Sequence, residues 1–599
     1  MKYKLILTTI PILFPALAFA TENATLTVTA TRIPEEILIS GDNISVIDKT
    51  EIEESSIKTI ADTFFSEPEI AISNNGWGQV SNTYIQGLNS KYILFLLNGA
   101  PILNDPSTPD ATPNIDFFDF SSLERVEILK GVQGALYGSE AIGGVINLVT
   151  EPEDKTTIKL EGGSYDTFKE TLKSGVKDKK SSFSITFENF HTNGYDITGD
   201  GDRESSSYHL INYNLKLFPT PKIKIKNFFS FKTGKNEYDD GEINYKQTLT
   251  TLNTKIMTSE HSILETVTGY SNIKREYRDY TYRNYQGETL YFSIFKKLYF
   301  KNITLSPGLD FKQSKADSQS TGERTINTKA LFFNSSLKLK KLTLNPSIRI
   351  ENYSSFGTYT TFKISGNFNL TNHTFLKFQA GNGFKAPTIE EMYAYYPPMF
   401  GYPATYGNPN LEPEKSKGFS AGILKAFDKK NLFKINYFYN KIDNQIVWIF
   451  DPSLGYKTYK NLNHSKTEGI ETSIQLSLTD KSEIKTSYTY TNGRWSDGTN
   501  SYKIPRVPET MIKTALKFYP VQKISIKLEG IYYSDRFNDQ YNTQTLPAFT
   551  VFNTFISYKA TKRTTFSFKV LNITNRKYQL SYGYNQPGRT YFIGIKSTF

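Results

Sequence analysis

From about residue 152 onward the chain repeats one texture: segments in which apolar and polar positions alternate, separated by polar loops. Phe433, Ile435, Tyr437 and Tyr439 alternate with Lys434, Asn436 and Phe438. Ile484, Thr486, Tyr488 and Tyr490 repeat the pattern, as do Phe566, Phe568 and Val570 around Ser567 and Lys569. A period of two predicts strands with one apolar face. The first part of the chain is mixed. Ile44–Ile47 reads as a strand, after which Ile57, Ile60, Ala61, Phe64 and Phe65 fall at helical spacing and predict one apolar helix face. Tyr92–Leu97 reads as a buried strand and Asn98-Gly99 as a tight hairpin turn. Val126, Ile128 and Lys130 alternate with charged or outward positions, predicting a strand half buried on one face, and Val145–Val149 reads as another. Between these two strands, the glycines at 131, 134 and 138 mark turns that need positive φ or close backbone approach. Gly143-Gly144 lets the second strand pass tightly against a neighbour.

Composition decides what the strands build. With 599 residues the chain has room for several soluble domains or one very large barrel. No apolar run after residue 20 reaches the roughly 20 residues a membrane helix needs. There are 40 Tyr and 43 Phe against 3 Trp, yet the mean hydropathy is −0.44. Strands facing lipid on one side and a polar lumen on the other give that combination. A soluble sandwich or propeller is the alternative, but the repeat a propeller requires is not evident. A closed barrel also satisfies every backbone group in lipid, which an open sheet cannot do. Lys and Arg account for a net charge of +11 but are spread along the chain, which predicts a solvated basic surface rather than a nucleic-acid stripe. The absence of Cys removes disulfides, thiolate metal sites and Cys nucleophiles, and the scattered His offer no catalytic constellation, so no enzyme is expected. Lys2 and Lys4, the apolar Leu5–Phe19 and the small-x-small Ala18-Phe19-Ala20 predict a signal peptide over 1–20, with Thr21 starting the mature chain.

The stretch from Glu124-Arg125-Val126-Glu127 through Tyr137-Gly138-Ser139-Glu140-Ala141-Ile142-Gly143-Gly144 to Thr150 resembles the plug signature of TonB-dependent outer-membrane receptors. The resemblance implies an all-β membrane barrel of about 22 antiparallel strands over 153–599, with an N-terminal α+β plug domain over 36–152 inside its lumen. It also implies outer-membrane localisation, outer-membrane lipid around the wall, no nucleic acid, a monomer, and the inner-membrane-coupled protein TonB as partner. Val570-Leu571-Asn572-Ile573-Thr574-Asn575, Pro587-Gly588-Arg589-Thr590-Tyr591-Phe592 and terminal Phe599 resemble the receptors' last two strands. Ahead of the plug, within 21–35, Thr25, Leu26, Thr27, Val28, Thr29 and Ala30 form a short alternating segment able to add to a partner's sheet edge. In that place it resembles the TonB box.

The spacing of Gly76, Gly78, Gln79 and Ser81 with Ile85, Gly87 and Asn89 looks most like the vitamin B12 receptor branch, whose plug apices touch the corrinoid. By that likeness Gln79, Val80, Ser81 and Asn89 are ligand positions; the other reading is that they serve turn geometry alone. Two residues depart from the family, Gln86 standing where it usually has Arg and Asn98 where it has Asp, so the plug's lock in the barrel must be weaker or differently built. Phe384-Lys385-Ala386-Pro387-Thr388 and Gly407–Glu414 resemble the motifs bracketing a large outer loop. Within that loop Tyr393, Tyr395, Tyr396, Phe400 and Tyr402 offer flat amphipathic contact for a large ligand, or pack among themselves. All five His (191, 209, 261, 373, 464) lie outside the places where the family's haem receptors carry them. Asp196, Asp200, Asp202, Asp239 and Asp240 lie in two loops, and Tyr195-Asp196-Ile197-Thr198 resembles a calcium-ordered loop of the branch, implying Ca²⁺ as a loop ion. The expected function is TonB-dependent uptake of a scarce bulky nutrient, a cobalamin or related corrinoid. A ferric siderophore is the alternative within the family, and a passive porin or adhesin the alternative outside it.

Overall fold

The computed structural model describes residues 27–28, 31–38, 40–55, 59–113, 115–118, 121–239, 241–279, 282–399, 401–428 and 430–599. Its wall is a closed barrel of 22 antiparallel strands, sealed where the first, Thr157–Gly163, pairs with the last, Thr590–Thr598. The period-two pattern is the cause. In Glu414–Ala426, Ser416 and Ser420 point to the lumen and are buried, while Phe419 and Ile423 point outward and are exposed. Pro307 and Pro346 sit inside wall strands but have no N–H to donate. Each falls where pairing with the preceding strand lapses, between Phe295↔Gly308 and Leu298↔Leu305, and between Asn334↔Ser347 and Leu337↔Leu344. No helix among the described residues is long and apolar enough to cross a membrane.

The lumen holds the first elements of the chain. A short pair, β1 (Thr27–Val28) and β2 (Glu35–Glu36), precedes β3 (Asn43–Asp48), α1 (Lys49–Ser55), α2 (Ile60–Ser66), β4 (Ile70–Asn74) and β5 (Ser81–Ile85). Then come β6 (Ile93–Leu97), β7 (Leu123–Lys130), α3 (Gly134–Tyr137) and β8 (Gly144–Thr150). The central sheet runs β3-β7-β8-β6, with β6 and β8 parallel. Ile60, Ala61 and Phe64 of α2 are buried in the main core, as their spacing predicts; Ile57 lies outside the described residues. Asn98 and Gly99 both take positive φ, 52° and 86°, the left-handed pair a two-residue hairpin needs.

Two expectations are corrected. β7 is not half buried: Glu127 and Lys130 are as inaccessible as Ile128 and Leu129, because the strand lies mid-sheet and the sheet lies inside a cylinder. Nor is the spread of basic residues simply a solvated surface. Lys232, Lys297, Lys363, Lys385, Lys513 and Lys569 are all buried, turned into the lumen.

Lysines on the inner face of the wall grip the plug. Lys363 pairs with Asp42, Lys485 with Glu51 at 3.0 Å, Lys596 with Glu53 at 2.8 Å, Lys517 with Glu54 at 2.6 Å and Lys434 with Glu69 at 3.5 Å. Lys513 donates to the carbonyls of Glu67 and Ile70 at 2.7 and 2.6 Å, satisfying acceptors where α2 ends. The lock is thus differently built from the expected Arg and Asp. Gln86 reaches Glu471 at 3.4 Å, while Asn98 bonds Thr150 of the plug and Thr251 of the wall at 3.0 and 3.2 Å.

Glu153, between β8 and the first wall strand, accepts from Lys173 and Lys49, both at 2.5 Å. Burial raises its pKa, but the two ammonium groups outweigh this and hold it at about 2, down from 4.5. Its stabilisation is therefore complete above pH 4.5 and disappears as pH falls through about 2. Acid unfolding of the detergent-solubilised protein, followed by circular dichroism, is expected to lose part of its slope in that window in E153Q. An unchanged profile would remove Glu153 from the account. K513M should destabilise the plug by about 2 kcal/mol, leaving carbonyls without their charged donor, and should show as faster proteolysis at 59–75 with wall strands protected.

Candidate functional site

The outer face of the plug is tied to wall and loops by polar contacts. In the turn between β4 and β5, Gln79 Nε2 donates to the Glu237 carbonyl at 2.5 Å, and the Gly78 carbonyl accepts from Asn236 at 2.9 Å. Val80 is 54% exposed, whereas Ser81 is buried with its hydroxyl accepting from Asn74 at 2.7 Å. Asn89 is half buried, and its Oδ1 has no hydrogen-bond partner among the described residues. Trp77 packs edge-on against Tyr165 and Tyr195 at 5.9 and 5.7 Å, so this corner is closed by aromatics. Of the four plug positions, Val80 alone presents an open side chain.

The loop after wall strand Thr374–Lys385 begins with α4 (Ile389–Tyr393), started by a capping box between Thr388 and Glu391. Thr388 Oγ1 also donates to the Pro109 carbonyl at 2.7 Å, joining the loop root to the plug. Beyond α4, Tyr395–Tyr406 is stitched onto the hairpin of Leu432–Asp451 and Tyr456–Thr479, with Thr405 opposite Lys457. These strands run 20 and 24 residues, about twice what a membrane requires, so their tip stands clear of it. Tyr395 and Tyr402 are exposed; Tyr395 contacts Tyr406 at 5.0 Å, and Tyr406 meets Tyr456 at 4.7 Å. Tyr393 lies under Arg324 at 5.1 Å, and Tyr396 donates to Glu390. Phe400 lies outside the described residues.

The sequence reading missed the hairpin's share. Lys457 Nζ lies 3.9 Å from the Trp448 ring and 5.2 Å from that of Tyr402, making one cationic aromatic platform. Its signal was available: Asp451-Pro452 and Gly455 form a turn between two strands with Trp and Tyr at their tips.

At the opposite end of the plug, β1 is paired with β2 along one edge. Thr25, Leu26, Thr29 and Ala30 lie outside the described residues. Arg32 then enters a buried cage. Its guanidinium bonds Asp310 at 2.8 Å and Tyr291 at 3.3 Å, lies 4.1 Å from the Phe332 ring and 4.7 Å from that of Tyr137. Arg349 meets the same Asp310 at 2.5 Å and Glu351 at 3.2 Å, so Asp310 is shared by both guanidiniums and is the one carboxylate bonded to Arg32. Burial opposes the charge of Arg32, but Asp310 outweighs this and raises its pKa.

Between plug and wall run cavities of about 180 and 160 Å³, the first lined by Arg32, Tyr137, Lys226, Lys255 and Lys297. Ligand sites are about 300–1,000 Å³.

In the acidic loops, Asp196 accepts from the amides of Gly199 and Gly201, and Asp200 from that of Asp202. Among the described residues no three carboxylates or imidazoles are grouped to hold a metal; Asp240 is not among them.

Comparison with known proteins agrees with this arrangement. Residues 154–573 match the family described as TonB dependent receptor-like, beta-barrel, and residues 40–145 match the TonB-dependent Receptor Plug Domain. A vitamin B12 transporter, BtuB, of Photobacterium profundum is 24% identical over 97% of each chain. The iron-regulated outer membrane virulence protein of Vibrio cholerae is 22% identical, covering 99% of this chain and 98% of its own. Among solved structures, the siderophore receptor PirA of Acinetobacter baumannii superposes with a TM-score of 0.80 at 16% identity, over 93% of this chain and 98% of that one. The copper transporter OprC does so at 0.81 and 15%, over 93% and 99%. With a 22-stranded wall, a plug in its lumen and a family match over most of its length, the chain belongs to the TonB-dependent receptors of the outer membrane, proteins of transport rather than catalysis.

Proposed function

We propose that this receptor takes up a cobalamin or related corrinoid. The observation that carries this reading is its likeness to vitamin B12 transporters over 94% or more of both chains. The Tyr395–Tyr402 platform with Trp448 and Lys457 makes first contact, and Val80 meets the ligand from the plug. Nanomolar capture corresponds to about −12 kcal/mol, so release needs work from outside the site. TonB supplies it by adding a strand to residues 25–30 and pulling. The pull opens β1 from β2, draws Arg32 from Asp310 and loosens Tyr137, against which Arg32 rests. The lysine–carboxylate seam then takes up water, and the closed path widens. Calcium acts in this reading by drawing the 196–202 and 239–240 loops together over the ligand.

Ferric-siderophore uptake is the second reading. The iron-regulated relative favours it, as does a platform built of Tyr, Trp and Lys, which suits an anionic aromatic chelate.

Isothermal calorimetry with cyanocobalamin and with ferric siderophores separates the two readings. Nanomolar cobalamin binding is expected, and binding of ferric siderophores alone would replace the first by the second. Trp448→Ala should weaken capture about tenfold, the worth of one desolvated cation–π and stacking contact, with the wall intact. Deleting residues 25–31 should abolish uptake while leaving binding intact, whereas a passive porin would transport unchanged. D310N leaves Arg32 facing a neutral amide, while Arg349 keeps Glu351. Breaking a buried pair costs about 3–5 kcal/mol, so crosslinking of residue 27 to TonB should rise without ligand; wild-type crosslinking would exclude Arg32 as the latch. Calorimetry in chelator against millimolar Ca²⁺ tests the acidic loops, tighter binding with calcium being expected and equal affinity removing the ion.

A further inference from the structure

The outward face of the wall carries a feature that uptake does not use. Strand register sets Lys417 opposite Lys441, Lys441 opposite Lys466, Lys466 opposite Arg494, and Arg494 opposite Lys503. Directly opposed residues share a face, so five cations stand in one row across five neighbouring strands. The face is the outer one. Lys417 and Arg494 are exposed, the side chains of Lys441 and Lys466 are 44% and 47% exposed, and the flanking Ser416, Ser465 and Gly493 are buried toward the lumen.

Like charges directly opposite destabilise a sheet, and this row is only partly offset. Asp443 meets Lys441 at 2.8 Å, Glu468 meets Lys466 at 3.1 Å and Glu509 meets Lys503 at 2.7 Å. Lys417 and Arg494 have no acidic partner among the described residues. Three of the five cations are thus paired and two are not, so the row keeps a positive excess that an anion from outside the chain can balance.

Depth identifies that anion. Two residues toward the membrane centre the outer face is mixed, Phe419 and Tyr439 beside Glu468 and Asn492; four residues in it is Tyr437, Ile470 and Tyr490, all exposed, with Phe419 and Tyr437 in ring contact at 5.7 Å. These are the lipid-facing belt. At about 3.4 Å per residue the cations lie roughly 7–14 Å above it, at the end of strand Glu414–Ala426 that follows the long 386–413 loop. They therefore stand at headgroup level in the outer leaflet. A protein partner would be met by an interface core depleted in charge, which this is not.

We propose that the row binds the phosphates of a multiply phosphorylated glycolipid of the outer leaflet, whose acyl chains lie on Phe419, Tyr437 and Tyr490 below. Ammonium and guanidinium groups suit phosphate oxygens. Because the strands of Lys441 and Lys466 run on into the Trp448–Tyr456 hairpin, the bound lipid also braces the base of the aromatic platform.

The test uses the delipidated full-length protein in detergent, titrated with bis-phosphorylated lipid A and with its dephosphorylated counterpart, and read by native mass spectrometry. Binding of the phosphorylated form at least tenfold tighter is expected, with millimolar inorganic phosphate displacing little of it. Each cation near a membrane surface is worth about fivefold, so K417Q/K466Q/R494Q should lose about a hundredfold, whereas K417R/K466R in an equally folded barrel should retain binding. K329Q, on another sector of the outer face, should bind as wild type does. Equal affinity for both lipids, or a folded triple variant binding as wild type, would overturn the proposal and leave a solvated rim. Displacement by free phosphate at equal concentration would do the same, reducing the row to a small-anion site.

Discussion

The structure depends on a seam of ion pairs between two parts of one chain. Lys363, Lys434, Lys485, Lys517 and Lys596 reach inward from the wall to Asp42, Glu69, Glu51, Glu54 and Glu53 of the plug. Lys363–Asp42 is buried and the other pairs are partly exposed; neither kind is a strong route to raw stability, since exposed pairs are screened and buried ones are costly to desolvate. What they supply is a fit with one register that water can undo. An apolar seam would hold the plug as firmly as a domain core and would grow no weaker when wetted. Ammonium and carboxylate groups are each well solvated once water enters, so a plug pulled a short way loses its grip progressively.

The two ends of the plug communicate through a very short stretch. Tyr137 closes the cage of Arg32, while two residues on, the Ser139 hydroxyl accepts from the amide of Ala386 at 2.9 Å, at the root of the large loop. Gly138 between them has φ of 84°, and a side chain there would collide with Glu351, which pairs with the same Arg349 that shares Asp310. The glycine is thus required by backbone conformation and by space together. Displacement of Arg32 removes one support of Tyr137, and displacement of the loop root removes the support of Ser139. Only one residue, Gly138, separates the two contacts.

Much of the wall was legible because a strand declares its two faces locally: the alternation at 433–439 needs no knowledge of what lies beside it. The turn at Asn98-Gly99 was legible for the same reason, its two positive φ values being a demand of local geometry. The seam was not. Whether Lys596 meets Glu53 depends on a barrel closing over some five hundred intervening residues, and nothing in either residue's neighbourhood records it. β7 was misread because alternation assumes that one side of a sheet is wet, and inside a filled cylinder neither is. The ligand platform was half legible. Its tyrosines cluster in one loop, but Trp448 and Lys457 come from a hairpin whose importance shows only when its strands prove too long for the membrane.

The charge of the chain now has a geometric meaning. Read along the sequence, +11 looks diffuse. Wound into a cylinder, it resolves into two populations set by which face of a strand a residue occupies. Inward lysines, one here and one there on successive strands, form the grip on the plug. Outward cations at matching register form a row at one height, though Lys417, Lys441, Lys466 and Arg494 are about 25 residues apart in sequence, the length of a strand with its connection. A ring around a barrel is necessarily a scattered series along the chain. The even spread of basic residues along the sequence was never evidence that the charges act singly.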